Sequence, residues 1–268
     1  MTCDDLDVER LGDGPAVVLV HGSIVDRRTW LHQRPLAERW TLVLPNRPGF
    51  GASPPLPRGD FEREAPLVAE LLGDGAHLVG HSYGAVIALC AAARRPTAVR
   101  SLTISEPGCL QVAAGHPLVD AHIAHGRYLF SGAAELTPLQ FLQAFRAGVG
   151  SSHHTPERLD GELERGVRLL MAERPPWEAR PPWAALRVMP FPKMVISGGH
   201  SPVFEAVCDA VARRIGARRE VLAGRGHTIP AVGPVYNELL EGLLRRAGAG
   251  ARRTGASRTP RPGARESA

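Results

Sequence analysis

Apolar residues along this chain occur in two alternating patterns. Short apolar runs of strand length are separated by segments in which apolar residues recur at helical spacing. Parallel strands that are covered by helices on both faces are apolar throughout, so the alternation predicts an α/β fold with a mostly parallel sheet flanked by helices. The predicted strands are 16–21, 41–45, 77–81, 101–105, 193–198 and 220–224, and the predicted flanking helices are 62–72, 85–94, 203–215 and 234–246.

The alternation is interrupted between residues 107 and 191. Three helix-like patterns occupy this stretch, at 118–130, 138–147 and 156–173. It closes with a local duplication, Arg174-Pro175-Pro176-Trp177 followed by Arg180-Pro181-Pro182-Trp183, in which we expect the prolines to exclude helix and to favour a stiff hinge. We therefore predict that residues 107–191 form an inserted helical lobe, called the cap segment below.

Length and charge define the remaining organisation. The 268 residues suit one large domain that carries an insertion, so we predict a core formed by 1–106 and 192–246. Residues 247–268 are mostly Gly, Ala, Pro and Arg and are predicted to be a disordered tail. This tail contains five arginines and one glutamate, which is four of the five net positive charges, so the body is nearly neutral. Without a basic stripe interleaved with aromatics, no nucleic-acid partner is expected.

The cysteines and the N-terminus indicate the compartment. Four widely scattered cysteines form neither a metal-binding pair nor a disulfide framework. The first residues are acidic and lack the apolar core of a signal peptide, and no apolar run has the length of a membrane span. We expect a cytoplasmic protein without a membrane partner, either a monomer or a homodimer.

The pentapeptide Gly80-His81-Ser82-Tyr83-Gly84 falls where a predicted strand ends and a predicted helix begins. A serine on so sharp a turn has a strained backbone that exposes its hydroxyl, and the flanking glycines let strand and helix approach closely. The motif in this context predicts a nucleophile elbow with Ser82 as the nucleophile.

A serine hydroxyl needs a base to become nucleophilic at neutral pH. His227 follows the last predicted strand and is the best candidate, because its loop returns to the edge of the sheet that carries Ser82. His81 is predicted to point away from the serine, and His153 and His154 to be solvated. No metal site is expected, because the remaining histidines of the cap segment, His116, His122 and His125, lack a further ligand at the right spacing.

Four stretches together resemble the α/β-hydrolase superfamily, in its capped branch with a serine nucleophile. They are residues 17–22, 46–53, 80–84 and 224–228, and the similarity extends from about Arg10 to Arg246. The resemblance implies Ser82 as nucleophile and His227 as base. It also implies an oxyanion hole formed by the backbone N–H groups of Tyr83 and Ser23.

The triad acid is where this sequence departs from the superfamily. An aspartate is usual in the turn after the strand 193–198, whereas Ser201 stands there and cannot stabilise an imidazolium as a carboxylate does. Some members carry the acid after the strand that follows the elbow helix, where this chain has Glu106. We assign Glu106 as the acid. A helix-capping or hinge role for Glu106, with Glu205 or Asp209 as the acid, is the alternative.

These residues together predict a serine-dependent hydrolase of a small or medium acyl substrate, a carboxylic ester or a lactone, that uses no metal or organic cofactor. Two other functions stay open. The same residues can perform C–C bond hydrolysis or a lyase or cyclase step, and an incomplete triad would leave a non-catalytic binding protein.

Aromatic residues supply the candidates for the substrate pocket. Seven of the fourteen lie in the cap segment, where each either packs the lobe or lines a pocket. The residues that we expect to bind substrate are Gly22, Trp30, Tyr128, Phe141, Phe145 and Trp177.

Overall fold

The computed structural model describes residues 1–150, 155–224 and 226–255, with side chains described as far as residue 248. It contains one seven-stranded sheet with the strand order β1-β3-β2-β4-β5-β6-β7, in which only β1 is antiparallel to its neighbour. The strands are β1 Val8–Leu11, β2 Ala16–Val20, β3 Thr41–Pro45, β4 Ala76–His81, β5 Val99–Ser105, β6 Lys193–Ser197 and β7 Arg218–Val221. The predicted α/β fold with a mostly parallel sheet is confirmed.

Eight α-helices surround the sheet and fill the insertion within the described residues. They are α1 Phe61–Leu71, α2 Tyr83–Arg94, α3 Pro117–Ser131, α4 Pro138–Val149, α5 Gly161–Ala172, α6 Trp183–Val188, α7 Pro202–Ile215 and α8 Pro234–Gly255. None of these helices, as far as the structure describes them, is both long and apolar enough to cross a bilayer.

Alternate residues of β2, β3, β4 and β6 enter two separate hydrophobic cores. Val18, Leu78 and Ile104 pack in the larger core with α1, α2 and α7. Their neighbours on the opposite face, such as Leu19 and Val79, pack in a second core with α8 and with the 3₁₀ segment Arg27–Glu38. Both faces of the sheet are therefore buried, which explains why its strands are continuous apolar runs rather than alternating ones.

The carboxyl ends of four adjacent parallel strands lie at one edge of the sheet. Register pairs Val20 of β2 with Gly80 of β4 and His81 of β4 with Ser105 of β5. Ser105 is paired in turn with Ile196 of β6. The residues that follow these strands therefore emerge side by side, and in such sheets this edge is where ligands bind.

The helices α3 to α6 all lie between β5 and β6. Part of this stretch has a hydrophobic cluster of its own, composed of Leu129, Ala133, Phe141, Leu142, Val167 and Leu170. Val119, Ile123 and Leu186 instead pack in the larger core beneath the sheet's helices. The cap segment is therefore anchored to the core at both of its ends, and its limits at 107 and 191 stay a prediction.

Several elements differ from the sequence prediction. Strand β1 and the 3₁₀ segment Arg27–Glu38 were not expected, because β1 is only half-buried and the 3₁₀ segment carries Pro35 and few apolar residues. The predicted helix 156–173 begins only at Gly161, where Asp160 caps it by accepting from the Leu163 N–H.

The prediction that the prolines of the duplicated motif exclude helix is wrong. Pro176 begins a 3₁₀ turn that extends to Glu178, and α6 begins directly after Pro182. Proline is compatible with the first turn of a helix because its fixed φ suits that position and its missing N–H is not needed there.

Helix α8 continues to Gly255, beyond the predicted end at Arg246. The prediction of a disordered tail from residue 247 is therefore wrong for residues 247–255. The alanines and arginines among these residues are good helix formers, and extending an established helix costs less than starting a new one, although the glycines weaken it. Residues 256–268, like His153 and His154, lie outside the described residues.

The junction between β4 and α2 yields a prediction on stability. A Cβ atom on Gly84 would lie 2.3 Å from the backbone oxygens of both Val20 and His21, atoms that cannot move without disturbing β2. We expect Gly84→Ala to lower the free energy of unfolding by about 1–3 kcal/mol through overpacking. Thermal unfolding measures this effect.

Gly161→Ala is the matched control. A Cβ atom there would meet no heavy atom within 4 Å, so this variant should be as stable as the wild type or slightly more stable. Equal melting temperatures for Gly84→Ala and the wild type would contradict the close packing of the elbow helix on β2.

Candidate active site

Ser82, the predicted nucleophile, lies between β4 and α2 with φ 55° and ψ −117°. This is the left-handed region that residues with a side chain rarely adopt, and here it turns the side chain out of the sheet. The backbone N–H of Ser82 donates to the Ser105 carbonyl at 2.9 Å, which ties the turn to the neighbouring strand. The sharp turn thus directs the hydroxyl towards the loop after β7.

His227 lies in that loop, and its Nε2 is 2.9 Å from the Ser82 Oγ. The ring is buried beside Phe204, with the ring centroids 4.7 Å apart. The prediction that His81 points away is wrong, because its Nε2 donates to the His227 backbone carbonyl at 2.8 Å. His81 thereby helps to hold the loop that carries the candidate base.

Glu106 directly follows β5 and has a φ of 39°, a second strained position beside Ser82. Its Oε2 is 2.6 Å from the His227 Nδ1, and its Oε1 accepts from the Gly198 N–H at 2.7 Å. His200 Nδ1 also lies 3.3 Å from Oε1. The carboxylate, which is fully buried, is therefore oriented towards the imidazole by groups that follow β6.

The other candidate acids are engaged elsewhere. Glu205 and Asp209 both form ion pairs with Arg219, with N–O distances of 2.5 and 2.9 Å. Ser201 begins α7 as its N-terminal flanking residue. The turn after β6, where the acid is usual in this fold, thus contributes the Gly198 amide and the His200 ring instead of a carboxylate.

Burial dominates the electrostatics of the pair formed by Glu106 and His227. Loss of hydration disfavours both charged forms, raising the pKa of Glu106 and lowering the pKa of His227. The Gly198 N–H and the nearby imidazoles of His200 and His81 oppose the rise for Glu106. Burial thereby favours the neutral imidazole, which is the form that can accept a proton, whereas the ionised form of Glu106 depends on the Gly198 N–H and the nearby imidazoles.

The loop of residues 22–25 after β2, called the oxyanion loop below, lies directly against Ser82. A Cβ atom on Gly22 would be 3.0 Å from the Ser82 Cβ. Ser23 and Tyr83, the predicted oxyanion-hole residues, border the same cavity on either side of the nucleophile. Their amides belong to the two backbone segments that flank Ser82.

Two adjacent cavities are both lined by Ser82 and His227. The outer one has a volume of about 270 Å³ and opens between the oxyanion loop, the following 3₁₀ segment and the end of α4. The inner one, of about 60 Å³, is mostly apolar. Ser23, Phe145 and Val149 line both cavities. The geometry provides a small apolar pocket on one side of the serine and a wider opening on the other.

The predicted substrate-binding residues divide into two groups. Gly22, Phe145 and Trp177 line the cavities. For the other three the prediction is wrong: Trp30 is fully buried in the second core, Phe141 is fully buried in the cluster of the cap segment, and Tyr128 is 81% exposed.

Several lining residues were missed by the sequence analysis. Leu110, Leu170, Phe204 and His122 line the inner cavity. One of them could have been suspected from the sequence: Phe204 lies at the start of α7, directly after the turn in which this chain lacks the usual aspartate. Within the described ranges, no group of three or more His, Cys, Asp and Glu side chains is arranged to hold a metal ion.

A Gly-x-Ser-x-Gly turn between a strand and a helix, at the edge of a mostly parallel sheet, is characteristic of the α/β-hydrolase fold. This chain has such a turn at Ser82, and helices α3 to α6 are inserted between β5 and β6. The model of the alpha/beta hydrolase family matches residues 17–235, so the chain belongs to this family.

Individual relatives agree with this assignment. The chain is 36% identical over 163 residues to the pimeloyl-[acyl-carrier protein] methyl ester esterase of Chromobacterium violaceum, a match that covers 59% of this chain and 64% of the relative. It is 29% identical over 252 residues to the lipase LipV of Mycobacterium tuberculosis, covering 86% of this chain and 94% of the lipase. The crystal structure of an alpha/beta hydrolase from Sphaerobacter thermophilus superposes with a TM-score of 0.63 at 26% identity, covering 88% of this chain and 96% of that one.

The buried pair predicts how activity depends on pH. If Glu106 orients His227, kcat/KM falls as the pH drops, because the pair takes up a proton and the raised pKa of Glu106 moves this loss above the range of an exposed carboxyl. In Glu106→Gln only the imidazole titrates, and burial lowers its pKa. The acid limb should therefore move to lower pH, and kcat should fall by about 10³–10⁴.

The pH profile of kcat/KM on a p-nitrophenyl ester measures both effects. Asp209→Asn is the matched control, since its carboxylate binds Arg219 and not the imidazole, and it should keep most of the wild-type kcat and the same acid limb. Full activity in Glu106→Gln would eliminate Glu106 as the acid.

Proposed function

We propose that this chain is a serine-dependent hydrolase of carboxylic esters or lactones with a small or medium acyl group, and that it acts through an acyl-enzyme intermediate. The observation that carries the proposal is the continuous hydrogen-bonded series from the Ser82 hydroxyl through His227 to the buried Glu106, with steps of 2.9 and 2.6 Å. This series ends at a cavity that is open to substrate. Such an arrangement raises the nucleophilicity of a serine.

In the proposed reaction the Ser82 Oγ attacks the carbonyl carbon while its proton passes to the His227 Nε2. The backbone N–H groups of Ser23 and Tyr83 stabilise the oxyanion, a type of contact worth about 3–4 kcal/mol for each donor. His227, whose positive charge Glu106 offsets, gives the proton to the leaving alcohol. Water, which gives a proton to His227, then attacks the acyl carbon. The bond between that carbon and the Ser82 Oγ breaks, His227 returns the proton to Oγ, and the carboxylic acid leaves.

The relatives support the ester class rather than a particular substrate. Two of them are named as a methyl ester esterase and as a lipase. The match with the esterase covers 64% of its length, and we carry over only the cleavage of a carboxylic ester. We propose that the inner cavity takes the apolar end of the acyl group and the outer cavity the leaving alcohol. A cytoplasmic location stays a prediction from the sequence.

Replacing the nucleophile tests the proposal directly. Ser82→Ala should lower kcat/KM on active p-nitrophenyl esters by about 10⁴-fold or more, because neither the base nor the acid can act without the hydroxyl. A fluorophosphonate probe should label the wild-type chain at Ser82 and leave the variant unlabelled, as read by mass spectrometry of the labelled peptide.

The sheet offers a matched control in a second pair of serine and histidine. The Ser101 Oγ lies 2.7 Å from the His77 Nδ1, but both residues are buried among the strands away from the two cavities. Ser101→Ala should keep both labelling and turnover. A wild-type chain that neither hydrolyses an ester panel nor reacts with the probe would remove the proposed function.

The inner cavity predicts a limit on acyl length. Phe130 and Trp177, packed edge to face at 5.2 Å, separate this cavity from a surface cleft that the same two residues also line. The Trp177 ring rests on Gly126, where a Cβ atom would approach it to 2.9 Å. In Trp177→Ala the two spaces should merge, and the ratio of kcat/KM for octanoate over acetate esters should rise about tenfold or more, since each accommodated methylene contributes to transition-state binding.

Trp183→Ala is the control, because Trp183 ends the second copy of the same motif and packs away from both cavities. Its ratio of octanoate to acetate turnover should equal that of the wild type. The series of alcohol leaving groups should be unaffected in both variants. An unchanged acyl preference in Trp177→Ala would show that the ring does not end the acyl pocket.

A further inference from the structure

A buried ionic cluster lies beside the candidate triad without belonging to it. Arg47, Glu64 and Glu173 have relative exposures of only 2–3%. The Arg47 guanidinium donates to both oxygens of Glu64 at 2.8 and 3.0 Å and to the Glu173 Oε1 at 2.7 Å. Buried charges are costly, and a cluster of two carboxylates and one cation usually has further polar partners.

These further partners belong to the oxyanion loop. The second oxygen of Glu173, Oε2, accepts from the Ser23 hydroxyl at 2.5 Å, and the Arg47 Nη1 donates to the Gly22 carbonyl at 2.9 Å. Ser23 thus donates its only hydroxyl hydrogen bond to Glu173, which leaves the Ser23 backbone N–H as the donor for a substrate oxyanion.

The same cluster reaches the second oxyanion amide. The Arg47 guanidinium carbon lies 4.3 Å from the centre of the Tyr83 ring, and the Tyr83 hydroxyl donates to the Arg174 carbonyl at 3.1 Å. Tyr83 therefore contacts the cation of the cluster and the residue that follows Glu173. Both predicted oxyanion donors are held by side chains that touch this cluster.

The two carboxylates come from different parts of the fold. Glu64 is on α1 of the core, whereas Glu173 follows α5 of the cap segment. A close backbone contact accompanies the ionic one, since a Cβ atom on Gly166 of α5 would lie 1.9 Å from the Ile24 carbonyl oxygen. The oxyanion loop is thus fixed from the cap side as well as from the core.

We propose that Glu173 is a positioning residue for catalysis, which holds the Ser23 amide in the oxyanion hole by accepting the Ser23 hydroxyl, with Arg47 as its anchor. The proposal rests on the proposed esterase function. Oxyanion stabilisation depends on donors that are fixed before the reaction, so a loop that has lost this bond should bind the substrate normally and stabilise the transition state poorly.

Glu173→Gln and Ser23→Ala test the connection from its two ends. Each should lower kcat by about tenfold to a hundredfold with little change in KM, less than the loss expected on removing a donor outright. The double variant should be no worse than the poorer single variant, because both changes break one bond. Ser23→Ala leaves the ionic cluster intact, so it tests the proposal even where Glu173→Gln folds poorly.

A transition-state mimic gives the readout that a merely structural role would not change. A trifluoromethyl ketone analogue of the best substrate adds Ser82 and forms an oxyanion in the hole. Its affinity should fall in both variants in parallel with kcat/KM. The affinity for the corresponding methyl ketone, a ground-state analogue, should stay as in the wild type.

Glu178→Gln is the matched control from the same stretch of the cap segment. Glu178 is 48% exposed and pairs with Arg174, so this variant should keep the wild-type kcat and affinity for the mimic. If the wild type hydrolyses esters and both test variants match it in kcat and mimic affinity, the positioning role is overturned, even where the melting temperature falls. If the wild type hydrolyses no ester, the proposed function fails and this inference fails with it.

Discussion

Strained backbone at the ends of two adjacent parallel strands is the constraint on which the candidate site depends. Among the described residues other than glycine, Ile24, Ser82 and Glu106 have positive φ, and all three lie at the carboxyl edge of the sheet. The pairing of His81 with Ser105 brings the residues that follow β4 and β5 together. Regular strand geometry would send the next side chain to one face of the sheet, whereas the left-handed turn directs it outward to meet His227.

Two buried groups of polar side chains contact the oxyanion loop. One is the proposed triad, in which burial favours the neutral imidazole. The other is the cluster of Arg47, Glu64 and Glu173, where charges are compensated by direct pairing. Burial raises the pKa of Glu173, and the Arg47 cation and the Ser23 hydroxyl oppose that rise. The low dielectric of the site thus strengthens both systems and makes both depend on complete pairing.

The sequence was sufficient for most of the fold and for the central residues of the site. Apolar runs located β2 to β6 closely, because a sheet that is covered on both faces leaves a clear pattern. The half-buried β1 leaves almost none, and the partly exposed β7 spans Arg218–Val221 rather than the predicted 220–224. The elbow motif located Ser82 because the required glycines are part of the motif itself: a side chain on Gly80 would meet the first turn of α2, and one on Gly84 would meet the end of β2. The acid was less determined, since Glu106 lies 121 positions from His227, and the ion pairs that hold Glu205 and Asp209 at Arg219 match no local sequence pattern.

Pocket residues and the ionic cluster could not be predicted for a related reason. Whether Phe141, Phe145 or Tyr128 faces a cavity depends on how α3 and α4 are rotated against their neighbours, and composition contains no information on that rotation. Arg47 and Glu173 lie 126 positions apart and match no local pattern.

The contact of Gly166 with the Ile24 carbonyl has a consequence for how substrates enter. Because α5 packs backbone to backbone against the oxyanion loop, an outward movement of this helix would remove the contact that supports the loop beside Ser82. The outer cavity opens instead beside the end of α4, so a substrate that enters there does not require α5 to move. Different helices of the cap segment therefore hold the oxyanion loop and border the substrate entrance: α5 contacts the loop, and α4 lines the opening.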